Sequence, residues 1–284
     1  MAMLLILISV CTGLAEGLII KKYNAHHPRG SFVFTAMVSF FAMLFFMITD
    51  TDGMHFIPQI FPYALISGVF YSSASVLTFE ALACGSYVMS MLILSYSLVF
   101  SITYGLVWLR EPAGPLTYLG LAMILVSVYL TRGEQDASGQ KASLKWLVCI
   151  LISFVGNGVI GIVGRMQQIR FDNSCTNEYM VIVLAFSTVV LLLFGIMRDG
   201  KSVPSIIRGS VLYAGGAGIA NGATNLLGLA VNMLIPISIA APSKSGLKII
   251  LSFLFSVFVF KEKFLKRQWA GIFVGTIALV LLNL

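Results

Sequence analysis

Residues 236–271 read PISIAAPSKSGLKIILSFLFSVFVFKEKFLKRQWAG and set two lysines, Lys244 and Lys248, inside an apolar run. A helix through this run carries both ammonium groups to membrane depth, and the four-residue spacing puts them on one face. An ionisable group there costs about 2.5–3.5 kcal/mol on insertion scales, and by default it faces a cavity or a partner. The run then ends in Phe260-Lys261-Glu262, followed by Trp269 and Gly271. The same signature stands earlier in the chain as Leu109-Arg110-Glu111, Tyr118 and Gly120, with the same distance from Glu to Gly.

The rest of the chain has the composition this stretch implies. Hydrophobic residues make up 58% and charged residues only 10%, against about 25% charged in ordinary soluble domains. Apolar runs recur at the roughly 20-residue length that crosses hydrocarbon as a helix. They predict an all-α polytopic membrane protein with ten transmembrane helices, at about 3–20, 31–49, 58–82, 86–108, 114–131, 145–165, 177–197, 208–231, 235–260 and 268–284. Tight hairpins are expected at Cys84-Gly85-Ser86 and at 233–236, where polar residues are almost missing. The first run has no basic segment before it and no cleavage pattern after it, so it is expected to be retained as a helix.

The formal charge of +7 comes from short loops rather than from a clustered basic surface, so no nucleic-acid partner is implied. Cys11, Cys84, Cys149 and Cys175 are far apart, mostly inside apolar runs, and have no metal-ligand spacing. His26 and His27 read as a solvated loop pair.

The longest polar break, TRGEQDASGQKASLK at 131–145, divides the chain near its middle. It separates a first five-helix repeat, 1–131, from a second, 145–284, with 132–144 as linker. Helices 3 to 5 align with 8 to 10, Ile8-Ser9-Val10 falls on Ile152-Ser153-Phe154, and Gly17 on Gly161. Because each half has an odd number of helices, the halves insert as inverted repeats, and such repeats place a substrate site near the midplane. Most loop lysines and arginines lie in the odd-numbered loops, which puts those loops in the cytoplasm and both termini outside.

The paired signatures Glu111, Tyr118, Gly120 and Glu262, Trp269, Gly271, carried on ten helices in two halves, resemble the drug/metabolite transporter superfamily, in particular its ten-helix EamA-type members. The resemblance implies two EamA-like repeats and alternating access by rocking helix bundles around a cavity lined by helices 1, 3, 4, 6, 8 and 9. Members export amino acids or drugs, or exchange nucleotide sugars and sugar phosphates, so cargo does not follow from the fold. Several are described with cytosolic termini, opposite to the charge count. Ala15-Glu16 with Lys22 also resembles the small multidrug resistance branch, where a first-helix Glu is shared by proton and cation.

Glu16, Glu80, Lys244 and Lys248 are the ionisable residues expected inside helices. Either they pair to lock helices together, or the lysines hold an anionic substrate group while Glu16 and Glu80 carry a coupling proton. Glu80 is also close enough to a helix end to reach the interface.

Polar residues recur at helical spacing beside them: Gly218, Asn221, Asn225, Gly228 and Asn232 on helix 8, Ser90, Ser97, Ser101 and Tyr104 on helix 4, and Asn157, Gly161 and Gly164 on helix 6. The glycines fit close helix packing. Asn221, Asn225 and Asn157 need partners in hydrocarbon and are expected to line the site. Tyr71 and Tyr96 are candidates for stacking on substrate, although each alone more often packs or anchors. Pro242 loosens helix 9 ahead of Lys244. Glu111 and Glu262 are expected to cap or pair at helix ends.

These residues predict a secondary transporter of a small polar metabolite, an amino acid or an organic or phosphorylated anion. The alternatives are a proton-coupled exporter of drugs or organic cations centred on Glu16, a non-transporting membrane protein and a membrane-embedded lipid enzyme. The last would need a catalytic cluster at one membrane face, which the chain does not offer. No G-x-x-x-x-G-K-[ST] motif is present, so neither ATP nor another cofactor is expected, and transport would run on a proton, another ion or a counter-substrate.

Overall fold

Lys21 and Lys22, polar enough to suggest the end of the first helix, do not end it. α1 runs over Ala2–His26 because the residues after the lysines turn inward. Tyr23 is 1% exposed and stacks on Phe34 at 4.2 Å, while Lys21 lies over the Tyr87 ring at 5.7 Å. The computed structural model describes residues 2–26, 30–50, 53–108, 110, 114–131, 143–172, 174–234, 244–248, 251–252, 255 and 266–281.

After α1 come α2 (Ser31–Thr49), a 3₁₀ turn at Pro58–Ile60, α3 (Phe61–Cys84), α4 (Tyr87–Ser95), α5 (Leu98–Val107), α6 (Pro115–Thr131), α7 (Leu144–Arg170), α8 (Thr176–Asp199), α9 (Val203–Leu234) and α10 (Lys266–Leu281). A helical segment also covers 244–248. The linker at 132–142, Pro242, Glu111, Glu262 and most of the expected ninth helix lie outside the described residues.

Local chemistry sets several helix starts. Gly30 precedes α2 at φ 86°, a left-handed backbone that favours glycine. The side chains of Ser86 and Ser143 accept from the Met89 and Lys145 amides and cap α4 and α7.

Among the described residues, the stretches long and apolar enough to cross a membrane are Met3–His26, Ser31–Thr49, Pro58–Cys84, Leu144–Arg170 and Thr176–Val231. The last contains both α8 and most of α9. Large apolar side chains such as Ile48, Met197 and Leu212 stand exposed on the outside at 80%, 81% and 87%, as a surface facing lipid requires.

The expected continuous helix at 86–108 is divided instead. α4 has 9 residues and α5 has 10, so they reach membrane length only together. The chain turns at Tyr96–Ser97, where Ser97 Oγ donates to Leu94 O at 2.7 Å and competes with the backbone ladder. The Tyr96 ring is fully buried and its hydroxyl bonds Ser127 Oγ, which donates to Gly271 O at 2.6 Å.

Packing follows a repeating scheme. α1 packs on α9 and α3 on α7; α2 packs on α9 and α8 on α3; α2 meets α8, and α6 meets α10. Matching α1, α2 and α3 with α7, α8 and α9 converts each of the first two pairings into its counterpart. In the α6–α10 pair, Gly120 and Gly271 are buried while Tyr118 and Trp269 face outward, at 61% and 51% exposure.

At the α2–α9 seam the two backbones approach closely. A Cβ on Gly218 would lie 2.7 Å from Val38 O and 3.1 Å from Ala42 N. Gly218 therefore faces the α2 backbone, whereas the sequence pattern groups it with Asn221.

Candidate substrate chamber

Polar side chains from α1, α3, α7, α9 and the 244–248 segment converge on a cavity of about 440 Å³. α2, α4 and the turn after α4 close its sides. Glu16, Lys244 and Lys248 all line it, together with Asn157, Asn221 and Asn225. Helices far apart in sequence thus bring six of the expected site residues to one space.

Asn221 is the centre of the network. Its Nδ2 donates to Glu16 Oε1 at 2.9 Å. Its Oδ1 accepts from the Tyr71 hydroxyl and from Asn225 Nδ2, both at 3.0 Å. Asn225 Nδ2 also reaches Asn221 O at 3.0 Å. An amide so engaged is held in one orientation, and it fixes one carboxylate oxygen of Glu16.

Lys244 Nζ donates to Gly228 O at 2.9 Å, on the same helix as the asparagines. Lys248 interacts electrostatically with Glu16. Asn157 Nδ2 donates to Ser153 O at 2.9 Å. Hydroxyls extend the polar surface along α1 and α9: Ser9 Oγ donates to Thr224 O at 3.1 Å, and Thr224 Oγ1 to Thr12 Oγ1 at 2.8 Å.

Two expected site residues sit elsewhere. Tyr96 does not line the chamber; its side chain is buried against Ser127 and Gly275. Glu80 pairs with Lys145 at 2.6 Å, near the ends of α3 and α7, with side-chain exposures of 20% and 58%. Partly exposed pairs of this kind contribute about 0–1 kcal/mol. Glu80→Gln is accordingly expected to shift the melting temperature of the purified protein by no more than about 3 °C, which differential scanning fluorimetry reads directly.

Tyr71, doubted as a ligand from sequence, takes part in the central network. Its signal was the α3 stripe Tyr71, Ser75 and Thr78, all of which line the chamber. Thr224 lines the chamber as well; threonine is a weak sequence signal because in apolar helices it commonly bonds its own backbone, as Thr224 Oγ1 also does to Ala220 O at 2.7 Å.

Phe34 and Phe79 also line the chamber, with their rings 5.2 Å apart. Asn24 Nδ2 donates to Phe79 O at 3.0 Å, which ties α1 to α3 behind the rings. His26 lies outside this region and contacts Lys22 O at 3.0 Å through Nδ1, while His27 is outside the described residues. Among the described residues no group of three or more His, Cys, Asp or Glu is placed to hold a metal.

An all-helical body with an apolar exterior and a charged chamber among its helices defines a multi-pass integral membrane protein. The model of the EamA-like transporter family matches residues 1–133. Over those residues, just under half of its length, the chain is similar to this family of transporters, which is part of the drug/metabolite transporter superfamily. A solved crystal structure, described in no more detail than as that of a protein, superposes with a TM-score of 0.63 over 99% of this chain and 95% of its own, at 14% identity. At that identity the likeness shows the fold alone. No curated protein matches the sequence.

Proposed function

We propose that the protein is a secondary transporter for a small polar metabolite bearing a carboxylate or phosphate, which Lys244 and Lys248 bind while Asn221, Asn225 and Asn157 fix the remaining polar groups. The observation that carries this reading is the convergence of both lysines and all three asparagines on one chamber. Ammonium groups suit either anion as point charges. Glu16 on the same wall suits an amine, so an amino acid fits with its carboxylate on a lysine and its amine toward Glu16.

Movement by alternating access of two inverted five-helix repeats, 1–131 and 145–284, is supported by the matched pairings of α1–α3 with α7–α9. Ten spans follow if α4 and α5 cross as one and 235–260 crosses as the ninth. Glu16, inside the chamber, is better placed than Glu80 to carry a coupling proton. The loop charges favour termini outside.

The test is a ligand screen by thermal shift on the detergent-purified protein, with amino acids, sugar phosphates, nucleotide sugars and organic cations. A ligand at about 100 times its Kd stabilises by about 2.7 kcal/mol, enough to see. Stabilisation by one anionic or zwitterionic class is expected. Stabilisation by organic cations alone would replace this reading with an exporter centred on Glu16.

A further inference from the structure

Among the described residues lining the chamber, Glu16 is the only carboxylate, and it shares the space with two lysines. The arrangement is specific. Asn221, itself held by Tyr71 and Asn225, fixes Glu16 on the α1 wall, and Lys248 is within electrostatic reach. Lys244 is engaged by the carbonyl of Gly228. A lysine buried without a negative partner is strongly disfavoured in a low-dielectric interior, and a carrier must bury its site each time it changes face.

We propose that Glu16 is the built-in counter-ion of the empty carrier: it stands in for the substrate's anionic group at Lys248 and lets the unloaded chamber close and reopen on the other side. A chamber of this charge pattern without Glu16 closes only when loaded, and so performs exchange. With Glu16 it also returns empty, and so performs net transport. The inference rests on the lysines being the anion site, but its test needs no ligand and reads the empty protein alone.

Ser75, on the chamber wall, is replaced by cysteine in a background in which Cys11, Cys84, Cys149 and Cys175 are serine. A membrane-impermeant maleimide is then applied to sealed membrane vesicles of either orientation, with no substrate present. The expected result is labelling from both sides with Glu16 intact. With Glu16→Gln, labelling from one side falls about tenfold or more. Adding Lys248→Gln to Glu16→Gln removes the unmatched charge and restores labelling from both sides.

Thr78→Lys, at a chamber-lining position outside the Asn221 network, raises the chamber charge by the same amount while leaving Glu16 in place. It is expected to give the same one-sided labelling, and it decides the matter should Glu16→Gln not fold. Labelling of the parent from one side only overturns the proposal, as does two-sided labelling of Glu16→Gln or of Thr78→Lys at the parent's rate. If the ligand screen finds no dependence on anions while this charge cycle holds, the anion reading and the stand-in role fail together, and Glu16 is left as the charge balance of the empty chamber alone; if the screen finds an anion while the cycle fails, only the counter-ion proposal falls.

Discussion

Replacing Lys248 by glutamine is expected to raise the KM for an anionic substrate about 10- to 100-fold, with smaller change in maximal rate. A hydrogen bond to a charged group contributes about 1.5–3 kcal/mol, and each 1.4 kcal/mol is a factor of ten. Lys248 stands in the chamber with Glu16 as its charged neighbour, so a ligand anion competes for it directly. Lys244→Gln acts in two ways. It removes the second positive charge, and it releases Gly228 O, which Lys244 Nζ holds at 2.9 Å. Its KM effect is therefore expected to come with a lower melting temperature from the freed carbonyl. Initial-rate uptake into proteoliposomes, paired with thermal unfolding, separates the two. Unchanged KM in both variants would remove the lysines from the site.

Gly218→Leu is expected to abolish the folded protein, and Gly218→Ala to lower its stability by about 1–3 kcal/mol. The added Cβ would approach the α2 carbonyl of Val38 and the amide of Ala42 rather than the end of a movable side chain. Backbone on both sides leaves nothing to rotate aside, so two helices must part. Gly222, one turn on, would meet the Phe45 ring at 2.6 Å, so the seam cannot slide to make room. Gly209 on the same helix has nothing within 4 Å of its added Cβ, and Gly209→Ala is expected to be neutral or to stabilise by up to about 1 kcal/mol. Equal melting temperatures for Gly218→Ala and Gly209→Ala would refute the close-packed seam.

That Lys244 and Lys248 face a shared cavity was legible because a charge in an apolar run needs a reason, whatever surrounds it. Asn221 and Asn225 were legible on the same ground. The division of the helix at 86–108 was not: the chain from Tyr87 to Val107 has no proline, and its glycine, Gly105, lies away from the turn. At the turn Ser97 Oγ bonds Leu94 O, as serines also do inside unbroken helices, and the Tyr96 hydroxyl is tied to Ser127, 31 positions away and invisible in the local sequence. Gly218 and Asn221 are three positions apart and looked like one stripe, yet a helix turns about 100° per residue, so such a stripe spans adjacent faces. One face went to α2 and the other to the chamber, and only the packed neighbours decide which. Lys21 and Lys22 read as a helix stop because loops attract lysine, but Tyr23 and Asn24 had inward partners waiting on α2 and α3.

The bond from Tyr96 to Ser127, relayed to Gly271 O, tethers the turn after α4 to the α6–α10 seam. Ser95 and Ser97 on either side of that turn are part of the chamber wall. A solute too bulky for the cavity must push this wall outward and pull the tether apart, stranding buried hydroxyls in an apolar interior at a cost of about 1–3 kcal/mol. The interrupted helix is thereby fastened to a neighbouring helix pair by side chains, and the chamber wall on this side is as stiff as those two bonds make it.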